Sequence, residues 1–165
     1  VAALTKRYPT LNVSVSATTR DPRPGELNGV HYYFVSAQEF DAMIERGDML
    51  EWALVHGKNK YGTPRGPVDE ALAAGKPVLL EIDLAGARQV RTNRPDAQFI
   101  FLAPPSWEEL ERRLIGRGTE GAEEQARRLA TARIELEAAS EFDHVVINDD
   151  VERAVDELAR LIGLE

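Results

Sequence analysis

The sequence predicts an α/β fold built around a parallel sheet. Short apolar runs at residues 78–82, 98–102 and 145–147 are nearly unbroken, as strands covered on both faces are. Helical patterns alternate with them, and strands alternating with helices make a parallel sheet. Residues 17 to 66 are different: hairpin-like, loop-rich and polar. They read as an insertion on the main sheet.

Residues 1–7 read as the end of a helix, with Val1, Leu4 and Tyr8 near helical spacing and Pro9 as its stop. Residues 12–17 alternate loosely as a short strand, Val13 and Val15 on one face. Residues 18–26 contain Pro22, Pro24 and Gly25 and form a loop. Asn28-Gly29 is a hairpin turn pair. Residues 30–35 follow as a strand with Tyr32 and Phe34 on one face. Ser36 and Glu39 form a capping box for a helix that turns Phe40, Met43 and Ile44 inward and stops at Gly47. Residues 50–55 are a strand, and 56–66 a loop carrying Tyr61-Gly62-Thr63. Pro67 suits the first turn of the next helix and Gly75 its end.

The apolar run at 78–82 ends at Asp83, and a second buried strand covers 98–102. Ser106 and Glu109 form another capping box, opening an Arg-rich helix that runs to Ile115. Gly116-Arg117-Gly118-Thr119 breaks the pattern. A longer helix spans 122–139, with Ala126, Leu129, Ala132 and Leu136 on one stripe. Residues 106–139 thus form a helical pair with a glycine-flexed joint, suited to a lid. The third buried strand, 145–147, leads through Asn148-Asp149-Asp150 into a last helix with Val151, Ala154, Val155 and Leu158 inward.

Composition narrows the function. At 165 residues and 43% hydrophobic, the chain can bury the core of one domain. The net charge of −8 disfavours a nonspecific nucleic-acid binder. A small anion is accommodated only where arginines gather. With no cysteine and three scattered histidines, disulfides and a structural zinc site are not expected. No apolar run approaches the roughly 18 residues of a membrane span. No basic, apolar leader is evident, and the expected setting is the cytoplasm.

Three groups of residues carry chemistry. Arg20, Arg23 and Tyr32 combine guanidinium forks, which match phosphate oxygens at any working pH, with a neutral hydroxyl donor. Prolines on both sides of Arg23 stiffen that loop and lower the entropy lost on gripping a ligand. Against this stands a solvated loop whose arginines offset nearby acids. Ser16, Glu51, Thr63 and Asp83 supply carboxylates and hydroxyls that suit guanine. Its N1–H and N2 amino group donate to a carboxylate, and a hydroxyl answers O6 or N2. Adenine would leave that carboxylate desolvated and unpaired. Glu51 and Asp83 are otherwise ordinary strand-end acids. Finally, Arg112, Arg113, Arg117, Arg127, Arg128 and Arg133 lie among glutamates, and i,i+4 pairing on an exposed helix accounts for most of them. Arg117 stands apart, between two glycines at a joint, where a cation can swing onto a transferring phosphoryl group.

The run from Ser14 through Thr18-Thr19-Arg20-Asp21-Pro22-Arg23-Pro24-Gly25-Glu26, with Asn28-Gly29 and Tyr32-Tyr33-Phe34, resembles the characteristic segment of guanylate kinases. Leu50-Glu51-Trp52-Ala53, Tyr61-Gly62-Thr63, Glu81-Ile82-Asp83-Leu84-Ala85-Gly86 and Ala103-Pro104-Pro105-Ser106 follow in family order. Arg117-Gly118-Thr119-Glu120 and Val146-Ile147-Asn148-Asp149-Asp150 complete a resemblance that covers essentially the whole chain. It implies a nucleoside monophosphate kinase core with a GMP-binding subdomain at about 17–66, a lid at about 106–139, and transfer of the ATP γ-phosphoryl group to GMP. Arg20, Arg23, Tyr32 and Tyr61 would hold the GMP phosphate. Ser16, Glu51, Thr63 and Asp83 would read or position the guanine. Asp83 would also lie near the water shell of the Mg²⁺ that accompanies ATP, with no direct protein ligand to the metal. Arg117 and Arg128 would close onto the ATP phosphates, and Asn148 would lie near the adenine. Thr63 stands where many relatives have serine, and the hydroxyl is kept.

One departure is large. The family begins with a strand and a P-loop, G-x-x-x-x-G-K-S/T, whose N–H groups and lysine hold the ATP phosphates. No such sequence occurs in these 165 residues. The expectation is that the natural protein carries it upstream of Val1 and that the 165 residues alone are inactive. The alternative is a catalytically silent guanylate-kinase-like module that binds phosphopeptides through Arg20, Arg23, Tyr32 and Tyr61. A kinase acting on a ribose phosphate is a third reading, disfavoured by the guanine-reading set.

Overall fold

The computed structural model describes residues 1–116 and 121–164. In chain order the elements are α1 (Ala2–Arg7), β1 (Asn12–Val13), β2 (Ala17–Thr18), β3 (Tyr33–Phe34), α2 (Ala37–Glu45), β4 (Met49–Val55), β5 (Asn59–Pro64), α3 (Arg65–Ala73), β6 (Val78–Leu79), α4 (Leu84–Asn93), β7 (Ile100–Ala103), α5 (Trp107–Ile115), α6 (Ala122–Glu137), β8 (His144–Ile147) and α7 (Val151–Ile162). A 3-10 turn, Ala138–Glu141, prolongs α6. The class is α/β, with parallel pairs β1–β6 and β7–β8. The chain divides into two compact units: Pro9–Ala97, and Val1–Tyr8 together with the chain from Gln98 onward.

In the first of these, four strands form a sheet in the order β3-β2-β5-β4. β4 and β5 are an antiparallel hairpin. Its turn uses two successive residues with positive φ, His56 at 53° and Gly57 at 65°, the twist that tight hairpins need. The sequence reads 56–66 as a loop, but Asn59–Pro64 is a central strand, paired on both sides. Asn, Lys, Gly and Pro are poor strand formers, and here pairing overrides propensity. The single strand expected at 12–17 is split. Asn12–Val13 pairs with β6, Ala17–Thr18 joins the four-stranded sheet, and Ser14 to Ser16 make the crossing. The strand expected at 30–35 shrinks to Tyr33–Phe34 and runs parallel to β2. Asn28-Gly29 closes a local turn instead of a hairpin: Gly29 N donates to Tyr32 O, and Asn28 Oδ1 accepts from Phe34 N.

Core packing follows the alternation of the strands. Ala17, Phe40 and Met49 are buried together, with Tyr33, Val35, Met43, Ile44 and Trp52 against them. A register shift between Met49 and Glu51 lets Met49 join this face out of phase, as a bulge does. Helix α2 keeps its predicted form. Ser36 Oγ accepts from Glu39 N at 3.0 Å, and Gly47 ends the helix at φ 75°.

The strands predicted as fully buried are not. β6 pairs over two residues only, both half-buried. In the second unit β7 and β8 pair in parallel register from Ile100–His144 to Ala103–Ile147. Only Val146 there is fully buried, and Leu102, Val145 and Ile147 are exposed. A two-stranded ribbon covered mainly on one side buries alternate residues, however apolar its sequence. Val151 is likewise exposed at the start of α7, and the inward stripe is Ala154, Val155 and Ala159. Arg7 of α1 pairs with Glu152 and Asp156 of α7.

Candidate functional site

Strand register assembles one face of the four-stranded sheet. Glu51 is paired with Thr63, Ala53 with Tyr61, Tyr61 with Thr18, and Thr18 with Phe34. Paired residues share a face, and faces alternate along each strand. Thr18, Phe34, Glu51, Tyr61 and Thr63 therefore point one way. Ala17, Tyr33, Trp52 and Gly62 take the opposite side, toward the core. Ser16, Arg20 and Tyr32 continue the same alternation just beyond the strand ends.

At one end of this face an arginine is held in place. Arg20 Nη1 and Nη2 bond Glu26 Oε1 and Oε2 at 2.9 and 3.0 Å, a bidentate pair, and Nη1 also donates to Asp21 O. Its guanidinium lies 5.2 Å from the Tyr32 ring centroid and 5.9 Å from that of Phe34. Tyr32 in turn meets the Tyr61 ring edge-on at 6.0 Å. The Glu26 bond pushes the Arg20 pKa up; burial opposes the rise and the Tyr61 oxygen adds to it. The same bond, followed by the Arg23 backbone N–H, lowers Glu26 to about 2. Arg20 and Tyr32, grouped by residue chemistry, and Tyr61, added by the family resemblance, are thus brought together. Arg23 projects from the exposed loop, its backbone N–H fixed to Glu26 Oε1 at 2.7 Å.

At the other end lie the acids. Thr63 Oγ1 donates to Glu51 Oε1 at 2.8 Å, and Thr63 is 1% exposed. Burial raises the Glu51 pKa, the Thr63 bond works against that rise, and the nearby Asp83 charge adds to it. Asp83 caps α4, its Oδ1 accepting from Gly86 N at 2.8 Å. A methyl group at Gly86 would stand 3.1 Å from Asp83 Oδ1 and 3.2 Å from Glu51 Oε2, so the two carboxylates flank one helix turn. Ser16 sits at the sheet crossing, its carbonyl accepting from Tyr33 N.

Of the residues expected to address ATP, Arg128 and Asn148 belong to the second unit. Arg117 lies outside the described residues. Arg128 lines a groove between α5 and α6 with Leu110, Leu114 and Glu124. Asn148 follows β8 directly, its N–H donating to Ala103 O at 2.8 Å. It therefore sits at the carboxyl end of a parallel pair, where open α/β sheets bind ligands.

Three residues of the site escape a residue-type reading. Glu26 is the counter-ion of Arg20, and only its six-residue offset across a Pro-Gly turn hints at the contact. Gly62 is required sterically: a Cβ there would lie 2.7 Å from Glu51 O and 2.9 Å from Trp52 Cβ. Gln89 of α4 bonds both backbone groups of Trp52, beside Glu51.

Comparison with known proteins gives the family. A family model described as guanylate kinase matches residues 2–165. A guanylate kinase of Leifsonia xyli is 58% identical over 98% of this chain, which spans 63% of that relative. Those of Rhodococcus jostii and Thermobifida fusca are 58% and 60% identical, with 79% and 83% of their lengths spanned. The crystal structure of guanylate kinase from Anaplasma phagocytophilum superposes with a TM-score of 0.73 at 32% identity, covering 99% of this chain and 80% of that one. The chain belongs to the guanylate kinase family of phosphotransferases.

Proposed function

We propose that this chain binds GMP as phosphoryl acceptor and serves the reaction GMP + ATP → GDP + ADP in cytoplasmic purine nucleotide metabolism. One observation carries the reading. The Arg20–Tyr32–Tyr61 cluster and the Glu51–Thr63 pair lie on the same sheet face, with Tyr61 and Thr63 two residues apart on β5. That spacing is about 7 Å along a strand, so one mononucleotide can meet both groups.

In this reading Arg20, Arg23, Tyr32 and Tyr61 hold the GMP phosphate. Glu26 keeps the Arg20 fork aimed before substrate arrives, which lowers the ordering cost of binding. Glu51 accepts from guanine N1–H and N2, and buried Thr63 orients it. Asp83 and Ser16 complete the guanine side. AMP would leave Glu51 desolvated and unpaired. The acceptor subdomain is assigned to about 17–66 and the lid to about 106–139. From the lid, Arg117 and Arg128 close on the ATP phosphates, with Asn148 by the adenine. Catalysis is positioning and charge stabilisation, with no covalent intermediate.

Mg²⁺ bound with ATP would supply charge neutralisation on its phosphates. Asp83 suits its water shell, because only Oδ1 is engaged with the helix and the carboxylate is exposed. Backbone N–H groups around the donor phosphates are also required, and no G-x-x-x-x-G-K-S/T sequence occurs within the 165 residues. The chain by itself is therefore expected to bind GMP with almost no turnover.

The test is ADP formation by the intact gene product with GMP, AMP and a phosphopeptide side by side. Transfer to GMP alone is expected. Phosphopeptide binding with no transfer to any acceptor would replace the proposal with a binding module.

A further inference from the structure

Strand β4 is an edge of its sheet, so its outward N–H and C=O groups need partners other than a strand. Helix α4 supplies them. Gln89 Oε1 accepts from Trp52 N at 3.0 Å, and Gln89 Nε2 donates to Trp52 O at 2.9 Å. One side-chain amide thus satisfies both groups of one residue, as a neighbouring strand would. Asn93 Nδ2 donates to Leu50 O at 2.9 Å. The spacing fits: four residues of helix rise about 6 Å, and two residues of strand about 6.7 Å. Leu50 and Trp52 flank Glu51, so both neighbours of that carboxylate are tied to α4.

The same helix carries Asp83 as its cap and presses Gly86 against Glu51 Oε2. The separation of the two carboxylates is therefore set by how α4 is registered along β4. Apolar packing alone would hold the helix against the strand without fixing that register; directional hydrogen bonds fix it.

We propose that Gln89, seconded by Asn93, is a positioning residue that sets guanine selectivity by clamping β4 to α4 and so fixing Glu51 relative to Asp83. This rests on the reading of Glu51 as the guanine-binding carboxylate. A positioning role predicts loss of base recognition with phosphate recognition intact, whereas a merely structural role weakens both together.

The experiment is calorimetric binding of GMP, AMP and ribose 5-phosphate to the intact protein, wild type, Glu51→Gln, Gln89→Met and Asn93→Ala, with thermal unfolding of each. Gln89→Met is expected to weaken GMP about tenfold, the scale of one lost hydrogen bond. It should narrow the GMP:AMP ratio and leave ribose 5-phosphate unchanged. Asn93→Ala should act the same way by about threefold. If Glu51→Gln weakens GMP but a folded Gln89→Met keeps the wild-type GMP:AMP ratio, the clamp proposal fails alone. Equal weakening of GMP and ribose 5-phosphate also overturns it. If Gln89→Met does not fold, Asn93→Ala decides by the same readings, and failure of both to fold makes the clamp a stability element and refutes the proposal. GMP affinity unchanged in Glu51→Gln sinks the guanine reading itself.

Discussion

Arg20 beside the four-stranded sheet and the arginines of the α5–α6 pair are held differently, although the two regions look equally charged in sequence. Arg20 has a side chain 13% exposed, gripped by both oxygens of Glu26 and stacked near two rings. Arg112 and Arg113 are 77% and 52% exposed and share Glu109 within a single helix. Exposed i,i+3 and i,i+4 pairs contribute a few tenths of a kcal/mol and are screened by salt. Arg20 is thus held by a bidentate partner and two rings at once, whereas Arg112 and Arg113 share one acid of their own helix. Arg133 lies between these cases: it sits 4.8 Å from the Trp107 ring centroid and helps join α5 to α6.

The contrast can be broken most severely at Glu51. If Glu51 holds the base as proposed, Glu51→Ala loses two charge-assisted bonds and should weaken GMP by about 3–5 kcal/mol, read by calorimetry. An affinity within a factor of three of wild type would mean that the base is held elsewhere. Next in size is Gly62→Ala, whose methyl has no room between Glu51 O and Trp52 Cβ. Overpacking of this kind costs about 1–3 kcal/mol, and urea denaturation should show it as a lower midpoint. Arg23→Ala should weaken GMP by about 1–3 kcal/mol through one lost charged bond, while affinity for guanosine, which has no phosphate, stays put.

Acidification sharpens the comparison between the two ends of the acceptor face. Burial raises the Glu51 pKa above its ordinary 4.5, so its folded form takes up a proton before its unfolded form does. Stability linked to Glu51 therefore declines as pH rises from 4.5 through the raised folded value. On the proposed guanine-binding role of Glu51, guanosine affinity should run the other way, because only the ionised form would accept from the base. It should begin to fall on acidification before pH 4.5 is reached, and this acid limb should vanish in Glu51→Gln. Glu26 is shifted oppositely, from 4.5 to about 2, so its link to Arg20 is present above pH 4.5 and is lost only as pH falls through about 2. The smallest effect belongs to Arg113→Ala, expected to change unfolding free energy by no more than about 0.5 kcal/mol. A larger change would show that the helical pair is held by more than local charge.

Much of the site was legible in residue types. Arg20, Tyr32, Glu51 and Thr63 were each nameable from the chemistry of phosphate and guanine, and Tyr61 from the family resemblance; the structure brings them to one sheet face. The caps at Ser36 and Ser106 were readable because a capping bond spans three residues. Strand 59–64 was not, because its residues suit turns and only pairing on both sides makes them a strand. Glu26, Gly62 and Gln89 were missed for a related reason: each matters through one neighbour that chain folding brings to it.

Residue order was enough for the α/β class, the helices capped by Ser36 and Ser106, the family, and the chemical types suited to a phosphate and a guanine. These depend on local spacing and side-chain chemistry, both readable along the chain. Tertiary structure alone decided that the segment at 12–18 serves two sheets, that the apolar strands are half-covered, and that Gln89 and Gly86 set the surroundings of Glu51. Those outcomes depend on strand register and on which edge a helix covers, which are free energies of contact between residues far apart in sequence.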